Sequence, residues 1–272
     1  MNDANRTETK RSRRIGRLLL GTWIAAAFLL ASVACGKRDA EPPPPASEPA
    51  ETATTDVPGF AEPPEGLVVA MGDSLTEGYG VPEEAAYPAL LENRLREAGY
   101  RFEVVNAGIS GETSAGARSR TEWILNLEPD IVILATGGND GLRGVDPANT
   151  RANIAEILDI FRERDVVAVL AGMRMFRNLG AEFVDAFEAL YPDVAAEKDV
   201  LLVPFLLEGV AAEPALNLED GIHPNAEGYR VVAENVFPHV EEAIRRWRAA
   251  RRDGAEIGVP VPDAVDPGRG EE

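Results

Sequence analysis

Short runs of apolar residues alternate along the chain with longer segments in which apolar residues recur every three or four positions. The short runs predict buried parallel strands, and the longer segments predict amphipathic helices that cover them. The predicted strands are Leu67–Met71, Phe102–Asn106, Ile131–Ala135, Val166–Leu170 and Val200–Val203. Five strands, each followed by a helix, indicate one α/β domain, a three-layer α/β/α arrangement with a flavodoxin-like, five-stranded parallel sheet.

Capping and turn residues indicate where the predicted helices begin and end. The first helix begins at Tyr87-Pro88, because proline suits the first helical turn, and Gly99 ends it. A second helix is expected over residues 114–127, with Trp123 facing the core. The remaining helices are predicted to begin at Asp146-Pro147, before Phe183 and near Asn225. We expect Pro238 to kink the last of them.

The segments outside this pattern have compositions that cannot build a core. Residues 1–35 have a basic start followed by seventeen uncharged residues, as a signal segment does. Residues 36–65 contain four consecutive prolines and predict an extended linker. Residues 251–272 are rich in glycine, proline and acidic residues and predict a disordered tail. The folded domain is therefore assigned to residues 66–250.

Cys35 is the only cysteine, which excludes an internal disulfide. The segment Ser32–Cys35 resembles a bacterial lipobox, in which the cysteine is lipidated, although leucine is usual at the place of Ser32. An uncleaved membrane anchor and a plain secretion signal also fit the segment. All three alternatives place the domain outside the cytoplasm, in the periplasm or at the cell surface, and the lipobox predicts a lipid anchor at Cys35.

The chain is strongly acidic, with 46 acidic and 27 basic residues and a formal net charge of −19. Residues 1–35 are basic on balance, so the acidic excess lies in the rest of the chain. A domain with this charge is poorly suited to bind nucleic acid or an anionic membrane surface. Only two histidines occur, His223 and His239, which excludes a histidine-rich metal site. Nothing in the sequence indicates a dimerisation element, and we expect a monomer.

Ser74 follows the first predicted strand within Gly72-Asp73-Ser74-Leu75. Loops at the carboxyl ends of parallel strands are where open α/β sheets bind ligands. A serine at this position is either a nucleophile or part of an ordinary strand-to-helix turn. Asp220 and His223, in the turn before the last helix, supply the partners that a nucleophilic serine needs. The carboxylate can orient the imidazole, and the imidazole can accept the hydroxyl proton.

Two further loops carry groups that could stabilise an oxyanion. Gly111 follows the second strand and Asn139 follows the third. The backbone N–H groups of Ser74 and Gly111 and the side-chain amide of Asn139 could supply three donors. Turn geometry is the alternative explanation of Gly111, and an Asx-turn is the alternative for Asn139.

Four sequence blocks, in this order, resemble the SGNH (GDSL) hydrolase superfamily and, more closely, its bacterial thioesterase I, lysophospholipase and arylesterase branch. The blocks are Gly72–Leu75, Asn106–Thr113, Gly137–Gly144 and Asp220–Asn225. The resemblance covers about residues 66–248 and implies the α/β/α SGNH-hydrolase fold. It implies that Ser74, Asp220 and His223 are the catalytic residues. It further implies an oxyanion hole made by Ser74, Gly111 and Asn139. It also implies that no metal and no cofactor take part.

The resemblance extends to the substrate side of the site. Residues predicted to contact substrate are Asp73, Asp140, Gly141, Leu142, Met173 and Phe176. Residues 172–180 depart from the family, which often has Leu-Pro where this chain has methionine and phenylalanine. The acyl preference therefore stays open, and a buried loop plug is an alternative role for Met173 and Phe176.

The sequence as a whole predicts an exported serine ester hydrolase that acts on small acyl esters, thioesters or lysolipids through an acyl-enzyme on Ser74. A carbohydrate O-acetyl esterase on the same fold is one alternative, although the loops lack the aromatic clusters that bind long polysaccharides. A non-catalytic, surface-anchored binding protein is another. The presence of every residue type that catalysis needs argues against it.

Overall fold

A computed structural model describes residues 63–256 of the chain. The lipidation prediction at Cys35, the predicted signal segment, the linker up to residue 62 and the tail beyond residue 256 lie outside the described residues. Within residues 63–256, no helix combines the length and the apolar character needed to cross a membrane.

All five strands are parallel and form one sheet. They are β1 (Gly66–Gly72), β2 (Phe102–Gly108), β3 (Ile131–Ala135), β4 (Val167–Ala171) and β5 (Leu201–Val203). Their order across the sheet is β2-β1-β3-β4-β5, the flavodoxin-like order, which confirms the predicted fold class. Because the order reverses between β1 and β3, the crevice for a ligand is expected at the carboxyl ends of these two strands.

The position of each strand in the sheet explains its sequence. β3 is covered on both faces, and all five of its residues are buried, so it consists of apolar residues throughout. β2 lies at an edge, and its residues vary from buried to exposed, so Glu103 is tolerated there. The predicted strand bounds differ from the observed ones by at most two residues at either end.

Helices cover both faces of the sheet. In the described part of the chain they are α1 (Ser74–Glu77), α2 (Tyr87–Glu97), α3 (Ser114–Ser119), α4 (Thr121–Leu125), α5 (Gly138–Leu142), α6 (Pro147–Glu163), α7 (Ala181–Lys198) and α8 (Ala226–Glu256). α2 and α8 pack against each other on one face, and α3, α6 and α7 lie on the other. The predicted start of α6 is confirmed, since the Asp146 side chain accepts a hydrogen bond from the Ala148 N–H and Pro147 is the first helical residue.

The single helix predicted over residues 114–127 is wrong. Arg120 separates α3 from α4, because its side chain turns inward and binds backbone carbonyls at the carboxyl edge of the sheet. The buried positions Ala117, Thr121 and Ile124 keep helical spacing across this break. That spacing leaves Trp123, predicted to face the core, on the outer side, where it is 56% exposed.

The last helix is longer than predicted. Asn225 caps it as expected, because its Oδ1 accepts hydrogen bonds from the N–H groups of Glu227 and Gly228, both at 3.0 Å. α8 then continues through Pro238 and ends at Glu256, so residues 251–256, predicted to belong to a disordered tail, are helical. Arg248 forms a two-point ion pair with Glu65, with N–O distances of 2.6 and 2.7 Å, which fastens this part of the helix to the start of the sheet.

Candidate active site

Ser74 stands at the carboxyl end of β1, where the chain turns sharply into α1. A Cβ atom on Gly72 would lie 2.2 Å from Thr76 Oγ1 and 2.7 Å from the Ala135 carbonyl oxygen, so the turn requires glycine. Asp73 caps α1, since its Oδ1 accepts a hydrogen bond of 3.0 Å from the Leu75 N–H. Ser74 is the first residue of the helix and lines a cleft at the sheet edge.

The turn before α8 orients a histidine toward this serine. Asp220 Oδ1 accepts hydrogen bonds from the N–H groups of Ile222 and His223, at 2.9 and 3.0 Å. Asp220 Oδ2 lies 2.7 Å from His223 Nδ1. The hydrogen bonds from the two backbone groups and from the imidazole lower the pKa of the Asp220 carboxyl to about 2. An ionised carboxylate therefore faces Nδ1 at all but strongly acidic pH.

The imidazole joins two parts of the chain that are 149 residues apart. His223 Nε2 lies 2.9 Å from Ser74 Oγ. With its Nδ1–H donated to Asp220, the ring presents Nε2 as an acceptor for the serine hydroxyl. The Tyr79 ring packs beside the imidazole, with 4.7 Å between the ring centroids. The structure thus brings together the three predicted residues in the order of a nucleophile, a base and an orienting carboxylate.

Three hydrogen-bond donors surround the same end of the cleft. Within the described residues, the backbone N–H groups of Ser74 and Gly111 have no acceptor. The side-chain amide of Asn139 is the third donor, and all three residues line the cleft. Gly111 has a φ of 77°, and Arg143 Nη2 donates a hydrogen bond of 2.9 Å to its carbonyl oxygen, which restrains the Gly111–Glu112 peptide next to the donor N–H. These are the groups that the sequence indicated for an oxyanion hole.

Asp73 lies beneath these donors and is 2% exposed. Its Oδ2 accepts a hydrogen bond of 3.2 Å from Asn139 Nδ2. Burial raises the pKa of the Asp73 carboxyl to about 6, although the hydrogen bonds from Leu75 and Asn139 act in the opposite direction. Asp73 is therefore an internal partner of the predicted oxyanion hole as well as a residue of the cleft wall.

An ion pair that the sequence analysis missed supports the Gly111 loop. Arg120 Nε and Nη2 donate to the Glu112 carboxylate at 2.6 and 2.7 Å, and the two side chains are only 12% and 7% exposed. Arg120 Nη2 also donates to the Ala107 carbonyl oxygen at 2.8 Å, near the end of β2. Glu112 lies in the Asn106–Thr113 block, but nothing local in the sequence indicates that it pairs with Arg120.

Asp140 and Gly141 are not among the residues that line the cleft, which corrects their predicted contact with substrate. Asp140 is 1% exposed and faces the protein interior. Its carboxylate accepts hydrogen bonds from the backbone N–H and the hydroxyl of Ser114, at 2.7 and 2.5 Å, and from Thr150 at 3.2 Å. Asp140 thereby ties the loop after β3 to α3 and α6. Gly141 is buried against Met175, where a Cβ atom would clash with the sulfur.

The cleft has a volume of about 710 Å³ and is lined mainly by apolar side chains beyond the Ser74 end. These side chains are Leu142, Met173, Met175, Phe176, Phe205 and Leu207. Met173 is 4% exposed and forms part of the floor, whereas Phe176 is 53% exposed and lies at the rim. Met175, Phe205 and Leu207 were not predicted as cleft residues from the sequence. Phe205 follows the end of β5, so the strand-end rule could have identified it.

The described residues contain no group of three or more histidine, cysteine or acidic side chains arranged to hold a metal ion. The polar groups of the cleft near Ser74 include the three N–H donors, the imidazole and the Asp73 carboxylate, which accepts a hydrogen bond from the Asn139 amide. Such a set can deliver a serine oxygen to a carbonyl carbon, accept the displaced proton and stabilise the resulting oxyanion.

Comparison with known proteins agrees with this geometry. A sequence profile of the GDSL-like Lipase/Acylhydrolase family matches residues 70–231. Esterase TesA of Pseudomonas aeruginosa is 39% identical over 178 residues, which are 65% of this chain and 89% of that protein. Thioesterase 1/protease 1/lysophospholipase L1 of Escherichia coli is 38% identical over 165 residues, 60% of this chain and 78% of that protein.

Solved structures show the same relationship. The crystal structure of TesA superposes with a TM-score of 0.63 at 38% identity, covering 65% of this chain and 99% of that one. The crystal structure of AlinE4, an SGNH-hydrolase family esterase, superposes with a TM-score of 0.57 at 38% identity, covering 68% of this chain and 99% of that one. With the family profile spanning more than half of its length and a site built from all four sequence blocks, the chain belongs to the GDSL-like lipase/acylhydrolase family and has the SGNH-hydrolase fold.

Proposed function

We propose that this chain is a serine esterase that hydrolyses acyl esters or thioesters. The observation that carries the proposal is the continuous relay from Ser74 Oγ to His223 Nε2, 2.9 Å, and from His223 Nδ1 to Asp220 Oδ2, 2.7 Å, at one end of an apolar cleft. Relatives named esterase and thioesterase, at 38 to 39% identity, support the same reaction class.

The proposed mechanism has two acyl-transfer steps. Ser74 Oγ attacks the acyl carbonyl carbon while His223 Nε2 takes the hydroxyl proton. The N–H donors of Ser74, Gly111 and Asn139 stabilise the oxyanion, and His223 then gives its proton to the departing alcohol or thiol. Water, deprotonated by the same imidazole, attacks the acyl-enzyme, releases the carboxylic acid and restores the serine. Asp220 stays ionised throughout and stabilises the imidazolium.

We further propose that the cleft selects substrates with medium or long acyl chains, such as lysolipids. Its apolar lining supports this, because each methylene removed from water contributes about 0.8 kcal/mol. The contribution ends where the chain reaches the floor near Met173, so the preference for length should have a maximum rather than rise without limit. Met173 and Phe176 thereby act as substrate contacts rather than as a plug.

The proposal includes an exported, monomeric enzyme with a lipid anchor at Cys35. Its support is the sequence alone, namely the basic start, the uncharged run that follows and the lipobox-like Ser32–Cys35. Mass spectrometry of the protein from a membrane fraction tests the anchor. We expect a diacylglyceryl group on Cys35, and a Cys35→Ala variant should leave the membrane fraction. An unmodified cysteine in the mature protein would contradict the anchor without affecting the esterase proposal.

Hydrolysis of p-nitrophenyl esters of graded chain length tests the activity. The wild type should turn over the esters, and Ser74→Ala should not. Ser119→Ala is the matched control, because Ser119 is an exposed serine on α3 outside the cleft, and this variant should keep full activity. Equal rates for wild type and Ser74→Ala on every ester would refute the esterase proposal. A profile that peaks sharply at acetyl would instead favour an O-acetyl esterase.

A further inference from the structure

Asp73 makes one more contact than a helix cap requires. Its Oδ1 alone accepts the hydrogen bond from the Leu75 N–H, and a neutral serine or asparagine would cap the helix as well. Its Oδ2 points the other way, to the Asn139 amide at the start of α5, 66 residues later. The side chain is 2% exposed, so its charge is held at an energetic cost that capping does not explain.

The neighbouring backbone is shaped to allow this second contact. Gly138 precedes Asn139, and a Cβ atom on Gly138 would lie 3.2 Å from Asp73 Oδ2, closer than side-chain carbons normally approach an oxygen. Glycine therefore lets the loop after β3 come close enough for the amide to reach the carboxylate. Asn139 Nδ2 has no other acceptor among the described residues. One of its two hydrogens is bound to Asp73, and the other is left for the cleft.

We propose that Asp73 is a positioning residue that holds the Asn139 amide with its nitrogen, rather than its oxygen, toward the oxyanion. The inference rests on the proposed function and adds a residue to its machinery. A carboxylate offers only acceptor oxygens, so it selects the amide orientation that presents Nδ2. With an amide at position 73, the Asn139 side chain can turn over and present its carbonyl oxygen to the cleft, where it would repel the developing negative charge.

A double-mutant cycle on the full chain tests this role. The four proteins are wild type, Asp73→Asn, Asn139→Ala and the double variant, assayed with one p-nitrophenyl ester at about pH 8, where the Asp73 carboxyl is ionised. We expect Asp73→Asn to lower kcat by at least about tenfold, approaching the roughly 10²-fold loss of an oxyanion donor, with little change in KM. In the Asn139→Ala background, the same substitution should change kcat by less than about twofold.

Two further variants separate positioning from capping. Asp73→Ser keeps a helix cap but has a side chain too short to reach Asn139, so it should lower kcat as Asp73→Asn does. It also replaces Asp73→Asn in the test if that variant fails to fold. Asp146→Asn is the matched control, because Asp146 caps α6 in the same way but is exposed and lies outside the cleft, and it should leave kcat unchanged.

The result that overturns the inference is an equal loss of kcat from Asp73→Asn in both backgrounds, or no loss in either. An inactive wild type would instead refute the esterase proposal, and full activity of Asn139→Ala would refute the role of Asn139 on which Asp73 is proposed to act. Each failure therefore has its own signature in one set of assays.

Discussion

Replacing Arg120 with methionine removes the cation from the ion pair behind the Gly111 loop while keeping an unbranched side chain. Glu112, which is 7% exposed, then keeps a buried charge without its partner. Removing one partner of a buried pair costs about 3–5 kcal/mol of unfolding free energy. The hydrogen bond to the Ala107 carbonyl oxygen is lost as well. Arg120 Nη1 is already buried without a hydrogen-bond partner in the wild type, and removing it relieves that cost. We therefore expect a loss of unfolding free energy in the lower half of that range.

Urea unfolding of wild type, Arg120→Met and the double variant Glu112→Gln/Arg120→Met measures this cost. The double variant leaves no unpaired charge, so it should recover about 2 kcal/mol of the loss. Arg118→Met is the matched control two residues earlier in the chain, since Arg118 pairs with Glu156 at 2.7 Å but both side chains are about half exposed. Breaking that exposed pair should cost at most about 1 kcal/mol.

The same substitution should also affect turnover. Glu112 follows Gly111 directly, so a loop that relaxes around an unpaired carboxylate moves a proposed oxyanion donor. A displacement of about 1 Å can cost on the order of 10²-fold in rate, and we expect a lower kcat for Arg120→Met with a smaller change in KM. The reasoning is refuted if Arg120→Met costs no more than Arg118→Met, or if the double variant is less stable than Arg120→Met.

Three other predictions follow from single contacts. The Asp73 carboxyl has a pKa of about 6 in the folded protein, against an ordinary 3.8, so the folded state holds this proton to higher pH than the unfolded state does. The free energy of unfolding should therefore fall by up to ~3 kcal/mol as the pH rises from the ordinary pKa to the raised one. Urea unfolding at several pH values should show this fall for the wild type and not for Asp73→Asn. Asp220→Asn should lower kcat on the order of 10³–10⁴-fold in ester assays, because an amide favours the wrong tautomer of His223; a loss under tenfold would contradict this. Gly137→Ala should lower the free energy of unfolding by on the order of 3 kcal/mol, because Gly137 has a φ of 104° and a Cβ there would lie 2.4 Å from the Tyr191 hydroxyl oxygen. An unchanged midpoint of urea unfolding would contradict this prediction.

Features with a local physical cause were predictable from the sequence. β3 was predicted with its observed bounds, because a central parallel strand is buried on both faces and must be apolar throughout. The caps at Asp146 and Asn225 were predicted because each side chain binds N–H groups two or three residues away. The residues of the relay were identified because they follow strand ends or precede a helix, where a parallel sheet brings loops together.

Features that depend on distant parts of the chain were not predictable in this way. The inward turn of Arg120 depends on carbonyl groups of Gly72 on β1 and Ala107 on β2, which lie 48 and 13 residues away in the sequence. Asp140 follows Asn139 directly, yet its side chain points inward to Ser114, and nothing in the local sequence distinguishes the two directions.

The sequence by itself determined which segments form strands and helices, which family the chain belongs to, and which residue types stand at the carboxyl edge of the sheet. Local hydrogen bonding and hydrophobic periodicity are sufficient for that. The partnership of His223 with Ser74 was predicted, but only the tertiary structure decided its geometry across 149 positions. Only the tertiary structure decided that Asn139 meets Asp73 across 66 positions and that Met175, Phe205 and Leu207 line the cleft. Such contacts depend on how the sheet and its helices pack together, because a difference of one ångström or one turn of a loop separates a hydrogen bond from none.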